Sequence, residues 1–221
     1  MSQLNLTNDQ LLATTRAVRK RLDFDRTVPR SMIEECMHYA LQAPSGSNAQ
    51  GWHFVFVTDP AKRKAIADLY RQAFAGYAAS PMSAAAQHAD DPSMHGTQER
   101  VMDSAQYLAD NLHRVPVFFI PCYVGRVDAI SGEGANVAHA STFGSIIPAA
   151  WSFMLAARAR GLGTCWTTLH LMHERKVAEI IGIPYEAITQ VALIPVGWTK
   201  GTDFKEAPRK PMHDIVHFDS W

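Results

Sequence analysis

The stretch from Ile146 to Ala157 constrains this chain more than any other. Ile146, Ala150, Phe153, Met154 and Ala157 recur at helical spacing, and the positions between them are apolar almost all round, so the helix they mark has to be central and buried. Gly161 is its natural C-terminal cap. Strands are available to surround it. His53 to Val57 is an aromatic and β-branched run between turn residues, and Val191 to Trp198 is a second apolar run. Val115 to Val124 is the most apolar of all, with Pro116 and Pro121 predicting that it is bent or partly an edge. Thr164 to Thr168 is a short strand candidate.

Helices read out between these strands. Asn8 to Arg19 is a short helix with Leu11, Leu12 and Val18 as anchors. Ser31 to Glu34 fits a capping box, and Ile33, Cys36, Met37, Ala40 and Leu41 then give one buried face, which Pro44 ends. Asp59-Pro60 supplies an N-cap and a first-turn proline for a helix through about Phe74. Glu174 to Ile181 is a helix closed by Gly182-Ile183-Pro184. Residues 76–99 show no clean period and read as an insertion, Gly125 to Thr142 reads as irregular, and the tail from Gly201 to Trp221 is too irregular to build a core. At 221 residues the chain is expected to be one domain, 1–221.

Hydrophobic residues are 47% and charged residues 19%, which excludes a disordered chain or a long coiled coil. Lys plus Arg and Asp plus Glu each number 21. That balance argues against nucleic acid or an anionic membrane as partner, because both select an excess of cations. Cys36, Cys122 and Cys165 lie too far apart for a metal cage and are odd in number, so no disulfide framework is expected. The N-terminus lacks a basic region followed by an apolar run, and no window holds 18 uninterrupted apolar residues. A soluble, cytoplasmic protein is the expectation.

Five motifs carry candidate chemistry. Arg16-Ala17-Val18-Arg19-Lys20-Arg21 places four cations in six residues, which suits a phosphate, though it equally describes a solvated helix end. Pro44-Ser45-Gly46-Ser47-Asn48-Ala49-Gln50-Gly51-Trp52 is a turn whose amides and hydroxyls can serve the edge atoms of a flat heteroaromatic ligand. Gly161-Leu162-Gly163-Thr164-Cys165-Trp166 follows a helix, where a dinucleotide fingerprint must follow a strand, and it lacks the third glycine. Cys165 there reads as a buried core residue rather than a nucleophile. His170-Leu171-Met172-His173-Glu174 has the wrong spacing for a zinc protease helix, so no metal site is expected, and no nucleophile elbow occurs. Ala207-Pro208-Arg209-Lys210-Pro211 is a basic pair braced by prolines; alone it is a surface loop, but it could return to meet the first basic cluster.

In chain order these pieces resemble the FMN-dependent nitroreductase family. The resemblance rests on the R-x-V-R run, the Ala-Pro-Ser-x-x-Asn-x-Gln-x-Trp junction, the Gly-Leu-Gly-Thr-Cys-Trp turn, the strand ending Val196-Gly197 and the late Arg-Lys-Pro, over about residues 12–217. It implies an α+β fold, a central mixed or antiparallel sheet flanked by helices, working as an intertwined homodimer with FMN at the subunit interface. It assigns the FMN phosphate to Arg16, Arg19 and Arg209, with Ala17 beside them. The ribityl chain and ring fall to Pro44, Ser45, Ser47, Asn48 and Gln50, and the far side of the flavin to Gly163 and Thr164.

Three departures stand out. Ala17 replaces a flavin-contacting serine, with one residue inserted before the apolar Leu22, which leaves open whether Lys20 or Arg21 also reaches the phosphate; Lys210 is a further candidate. Gly51 replaces the usual proline, and the 76–99 insertion is long and Met-rich, as a lid over the substrate would be. The resemblance implies a ping-pong oxidoreductase in which NADPH or NADH is the hydride donor and a nitroaromatic or quinone is the acceptor. The flavin carries the hydride, so no residue of the chain is expected to be catalytic. Two alternatives stay open: another reaction on the same fold (flavin fragmentation, dehalogenation or heterocycle oxidation), and a flavin-binding module without turnover.

Overall fold

A computed structural model describes residues 3–88 and 90–221 of the protein. The first two residues and one position of the 76–99 stretch therefore lie outside the described residues. In chain order the helices are α1 (Asn8–Thr14), α2 (Arg30–Ala40), α3 (Pro60–Ala78), α4 (Pro92–Asn111), α5 (Ala135–Ala159) and α6 (Glu174–Ile181). The strands are β1 (Leu22–Asp23), β2 (Trp52–Val57), β3 (Val117–Val124), β4 (Leu162–Thr164), β5 (Ile188–Gln190) and β6 (Ile194–Thr199). Strand order is β1-β6-β3-β2, with β4 paired to β6 and β5 to β3, every pairing antiparallel. The fold is α+β, as expected.

Alternation along β3 builds a three-layer molecule, because successive side chains point to opposite faces of the sheet. Phe118, Ile120 and Cys122 join Ile66, Tyr70, Phe74, Leu108 and Val177 from α3, α4 and α6. Val117 and Phe119 join Met32, Ile33, Cys36, Phe153 and Met154 from α2 and α5 on the other face. Phe119 lies 4.5 Å from Phe153, ring centre to ring centre, and Phe56 stacks on Phe119 at 4.8 Å. By length and composition α5 could cross a membrane; it is instead the core helix of this layer, with Ile146, Ala150, Phe153 and Met154 buried and Ile147 and Trp151 exposed.

Several sequence expectations need correction. β3 is central rather than an edge. Pro121 sits where its partner changes from β6 to β5, so the missing N–H falls in a gap while its carbonyl accepts from the Val191 N–H at 2.9 Å. α1 stops at Thr14 rather than Arg19: Thr14 and Thr15 turn their hydroxyls back onto the Gln10 and Leu11 carbonyls, both at 2.6 Å. The expected capping box of α2 is absent. Pro29 is its N-cap, and Glu34 accepts instead from Arg30 Nε at 2.7 Å.

α3 continues past Phe74 to Ala78, and α4 begins at Pro92, capped by Asp91, so among the described residues the irregular part of 76–99 shrinks to 79–88 and 90–91. α5 starts at Ala135, inside the segment expected to be irregular, because its alanines favour helix despite the polar residues among them. The strand expected at Thr164 to Thr168 lies earlier, at β4, and Val191 to Leu193 separate β5 from β6. The Asp59-Pro60 start of α3 holds as expected, with the Lys62 N–H donating to Asp59 Oδ1 at 2.8 Å.

Candidate functional site

The basic run is threaded along β4. The Val18 N–H donates to the Thr164 carbonyl at 2.8 Å, and Ala17 forms a parallel bridge with Thr164. This approach requires glycine at 163, since a Cβ there would stand 2.9 Å from Val18 Cβ and 2.8 Å from Thr199 Cγ2. Gly163 and Thr164 are both buried and hold the run in place through their backbone. Ala17 is exposed beside them.

The four cations then diverge. Arg16 has a buried Nη1 with no hydrogen-bond partner among the described residues, and burial first, then the charge of Arg209, pulls its pKa below the ordinary arginine value. Arg19 donates from Nη1 to Ser104 Oγ on α4 at 3.2 Å, keeps a buried Nε without a partner, and stands beside the Cys165 thiol. Lys20 is paired with Asp103 of α4. Arg21 turns to the chain after β6, bonding Asp203 Oδ1 at 2.6 Å and the Lys200 carbonyl at 2.9 Å. Lys20 and Arg21 thus have carboxylate partners already, while Arg16 and Arg19 keep donors free. Arg209 is near enough to Arg16 for its charge, after burial, to lower the proton affinity of that guanidinium. Arg209 and Lys210 also line a cavity of about 550 Å³ with His88, Asp91, Met94 and Asp214, between the 79–91 segment and the tail.

The second motif stands elsewhere. Ser47, Asn48 and Gln50 all adopt positive φ, at 51°, 53° and 48°, a left-handed conformation that costs a non-glycine residue about 1 kcal/mol or more. The loop is pinned from within, Gln50 N–H to Ser45 Oγ at 3.1 Å and Gln50 Nε2 to Asn48 Oδ1 at 3.1 Å. It is pinned from below by α5, where the buried Ser145 accepts the Gly46 N–H on Oγ at 2.9 Å and donates to the Ser141 carbonyl at 2.7 Å. A Cβ on Gly51 would meet Val124 Cγ2 at 2.7 Å, so glycine lets the loop close over β3. Pro44, Ser47, Asn48 and Gln50 are exposed and Ser45 is half-buried. The hydrogen bonds of this loop run to α5 and β3, whereas those of the Arg16 to Arg21 run go to β4, α4 and the chain after β6.

Sequence reasoning missed Ser145 and Arg158. Arg158 is 4% exposed, with Nε and Nη1 buried and without partners. A serine inside an apolar helix was the available signal for the first, and an arginine in the same helix for the second.

A model of the Nitroreductase family matches residues 12–198. The chain is 26% identical over 215 residues to an Archaeoglobus fulgidus protein provisionally named NADH dehydrogenase/NAD(P)H nitroreductase, across 96% of this chain and 97% of that one. It is 28% identical over 158 residues to the 5,6-dimethylbenzimidazole synthase of Rhodospirillum rubrum, across 72% and 66% of the two. Its fold is similar to a crystal structure of iodotyrosine deiodinase bound to FMN and 3-iodo-L-tyrosine, with a TM-score of 0.69 at 19% identity over 96% of this chain and 98% of that one.

Proposed function

The chain belongs to the nitroreductase family, and from that premise we propose that it is an FMN-dependent oxidoreductase that takes hydride from NADPH or NADH and reduces a nitroaromatic or quinone. The observation that carries this reading is the Arg16–Arg209 pair. Two guanidiniums near one another, one with a buried donor lacking a partner, are a poor arrangement for an empty protein and a good one for a phosphate between them. The residues present therefore fit the phosphate end of FMN. Arg16 and Arg209 would grip it, Arg19 offers its free Nε to the same ligand, and the exposed Ala17 leaves room beside them.

Ser45, Ser47, Asn48 and Gln50 would serve the ribityl chain and the ring edge. The strained backbone of Ser47, Asn48 and Gln50 is set before a ligand arrives, so little ordering remains to be done on binding. This loop and the arginines are fastened to different elements, which supports a homodimer in which each site draws on both subunits. Exposed Leu12, Tyr39, Leu41, Ile147 and Trp151 on α1, α2 and α5 and the turn after α2 supply apolar surface for such a contact. The whole chain would act as one domain in the cytoplasm, with the 79–91 segment as a lid over the substrate.

When bound, FMN supplies the hydride chemistry, accepting two electrons from the nicotinamide and delivering them to the oxidant that replaces it. The protein's share is to hold the phosphate, orient the ring and limit access to it. Steady-state reduction of menadione or nitrobenzene by NADPH or NADH is expected to exceed the rate with free FMN. A flavin-loaded protein that reduces neither would overturn the reading. A second reading remains on the same fold, a reaction such as the benzimidazole formation or deiodination named for two of the similar proteins; it takes over if flavin is bound and pyridine nucleotides fail to reduce it.

A further inference from the structure

Arg209 lies in a tail that makes few bonds of its own. Beyond Phe204 its backbone hydrogen bonds among the described residues are local, such as the Asp214 N–H to the Pro211 carbonyl, and among those residues Arg209 itself donates only to the adjacent Pro208 carbonyl, at 3.0 Å. Bringing Arg209 up to Arg16 costs like-charge repulsion, so something must hold the tail there.

The fixed point is the segment 200–204. Arg21 donates from Nε to the Lys200 carbonyl at 2.9 Å, from Nη1 to the Asp203 carbonyl at 3.1 Å and from Nη2 to Asp203 Oδ1 at 2.6 Å. Its backbone carbonyl accepts the Lys200 N–H at 2.8 Å. From α5, Arg158 donates from Nη2 to the Thr202 carbonyl at 3.0 Å. Both guanidiniums lie against the ring of Phe204, Arg21 at 4.2 Å from its centre and Arg158 at 4.8 Å. An aromatic face attracts a cation, and more strongly where water is excluded, as around Arg158. Two arginines thus converge on one ring, five residues before Arg209.

We propose that Arg21, Arg158 and Phe204 are positioning residues that fasten the start of the tail and so bring Arg209 to the basic run, preparing the phosphate end of the cofactor site. The inference rests on the FMN reading above and adds to it a cause for the pair's existence. It also gives the basic run two tasks, Arg16 facing the ligand and Arg21 fastening the arm that brings the second cation.

Binding of FMN is compared with binding of riboflavin, which has the same ring and ribityl chain and no phosphate, by quenching of flavin fluorescence. Phe204→Ala is expected to weaken FMN about tenfold or more while leaving riboflavin within about twofold, since a charge-assisted phosphate contact carries at least that factor. Phe204→Trp, which keeps an aromatic face, is expected to restore FMN affinity. In an Arg209→Ala background Phe204→Ala should cost nothing further. Equal losses for both flavins, an unchanged FMN-to-riboflavin ratio, or full additivity with Arg209→Ala would overturn the positioning role while leaving FMN binding intact. A wild-type protein that binds neither flavin would overturn the FMN reading and this inference together.

Discussion

Arg16 and Arg209, near opposite ends of the chain, stand close enough that the second cation lowers the proton affinity of the first, whose Nη1 is buried without a partner. A phosphate placed between them would satisfy the free donor and relieve the repulsion. The Arg16→Ala, Arg209→Ala double variant is therefore expected to lose bound FMN, each deletion weakening it by about ten- to a hundredfold. Full flavin content after gel filtration of the double variant would overturn the phosphate assignment.

Gly163 is the point at which β4, β6 and the basic run close on one another. In Gly163→Ala the new methyl would meet Val18 and Thr199 below 3.0 Å, and one partner has to move. We expect a loss of about 1–3 kcal/mol in urea unfolding, with reduced FMN content, because the displaced strand carries Arg16. An alanine variant with wild-type stability and flavin content would show that the close approach is unnecessary.

Away from the site, Arg126 and Glu174 form a largely buried bidentate pair, Nη1 to Oε1 at 2.9 Å and Nη2 to Oε2 at 2.8 Å. Glu174 Oε1 also accepts the Gln190 N–H at 2.8 Å, and Arg126 reaches the Ile188 carbonyl at 2.9 Å, so the pair fastens β5 to α6. Removing Glu174 takes away the buried partner of Arg126 and leaves the exposed Asp128, whose Oδ1 accepts from Nε at 2.9 Å, as its counter-charge. Glu174→Leu is expected to cost about 1.5–3 kcal/mol by urea unfolding, the worth of hydrogen bonds to a charged group. A loss below about 1 kcal/mol would mean that water reaches the arginine.

His170 is fully buried, neither ring nitrogen has a hydrogen-bond partner among the described residues, and burial pushes its pKa from 6.5 down to about 3. The unfolded chain takes up a proton near pH 6.5 while the folded chain resists it. Stability is therefore fully present above pH 6.5 and falls as the pH drops, by about 1.4 kcal/mol per pH unit. Between pH 7 and pH 5, at fixed protein concentration, this amounts to about 2 kcal/mol, which His170→Leu should abolish. The same pH slope in the variant would assign the effect elsewhere.

What the sequence revealed follows from how local each feature is. The Asp59-Pro60 start of α3, the left-handed glycines at 161 and 182 and the apolar period of α5 depend on neighbours within a turn, and each stands where expected. The centrality of β3 was hidden because proline's cost depends on which side its missing N–H faces, a matter of strand partners. The basic run was legible as a cluster, but not the division of its four cations among Arg209, Ser104, Asp103 and Asp203. Those partners are 83 to 193 positions away, and side-chain direction decides the pairing. Arg158 stood out only as an arginine in an apolar helix, and its partners stayed hidden, since Phe204 and Thr202 come to it through the path of the tail.

The most direct test is to load the purified protein with FMN, remove the excess, mix it anaerobically with NADPH or NADH and follow the flavin absorbance. Retained FMN that bleaches on the timescale of turnover with at least one nucleotide is the expected result. A protein that keeps no flavin, or whose flavin stays oxidised with both nucleotides, would contradict the account.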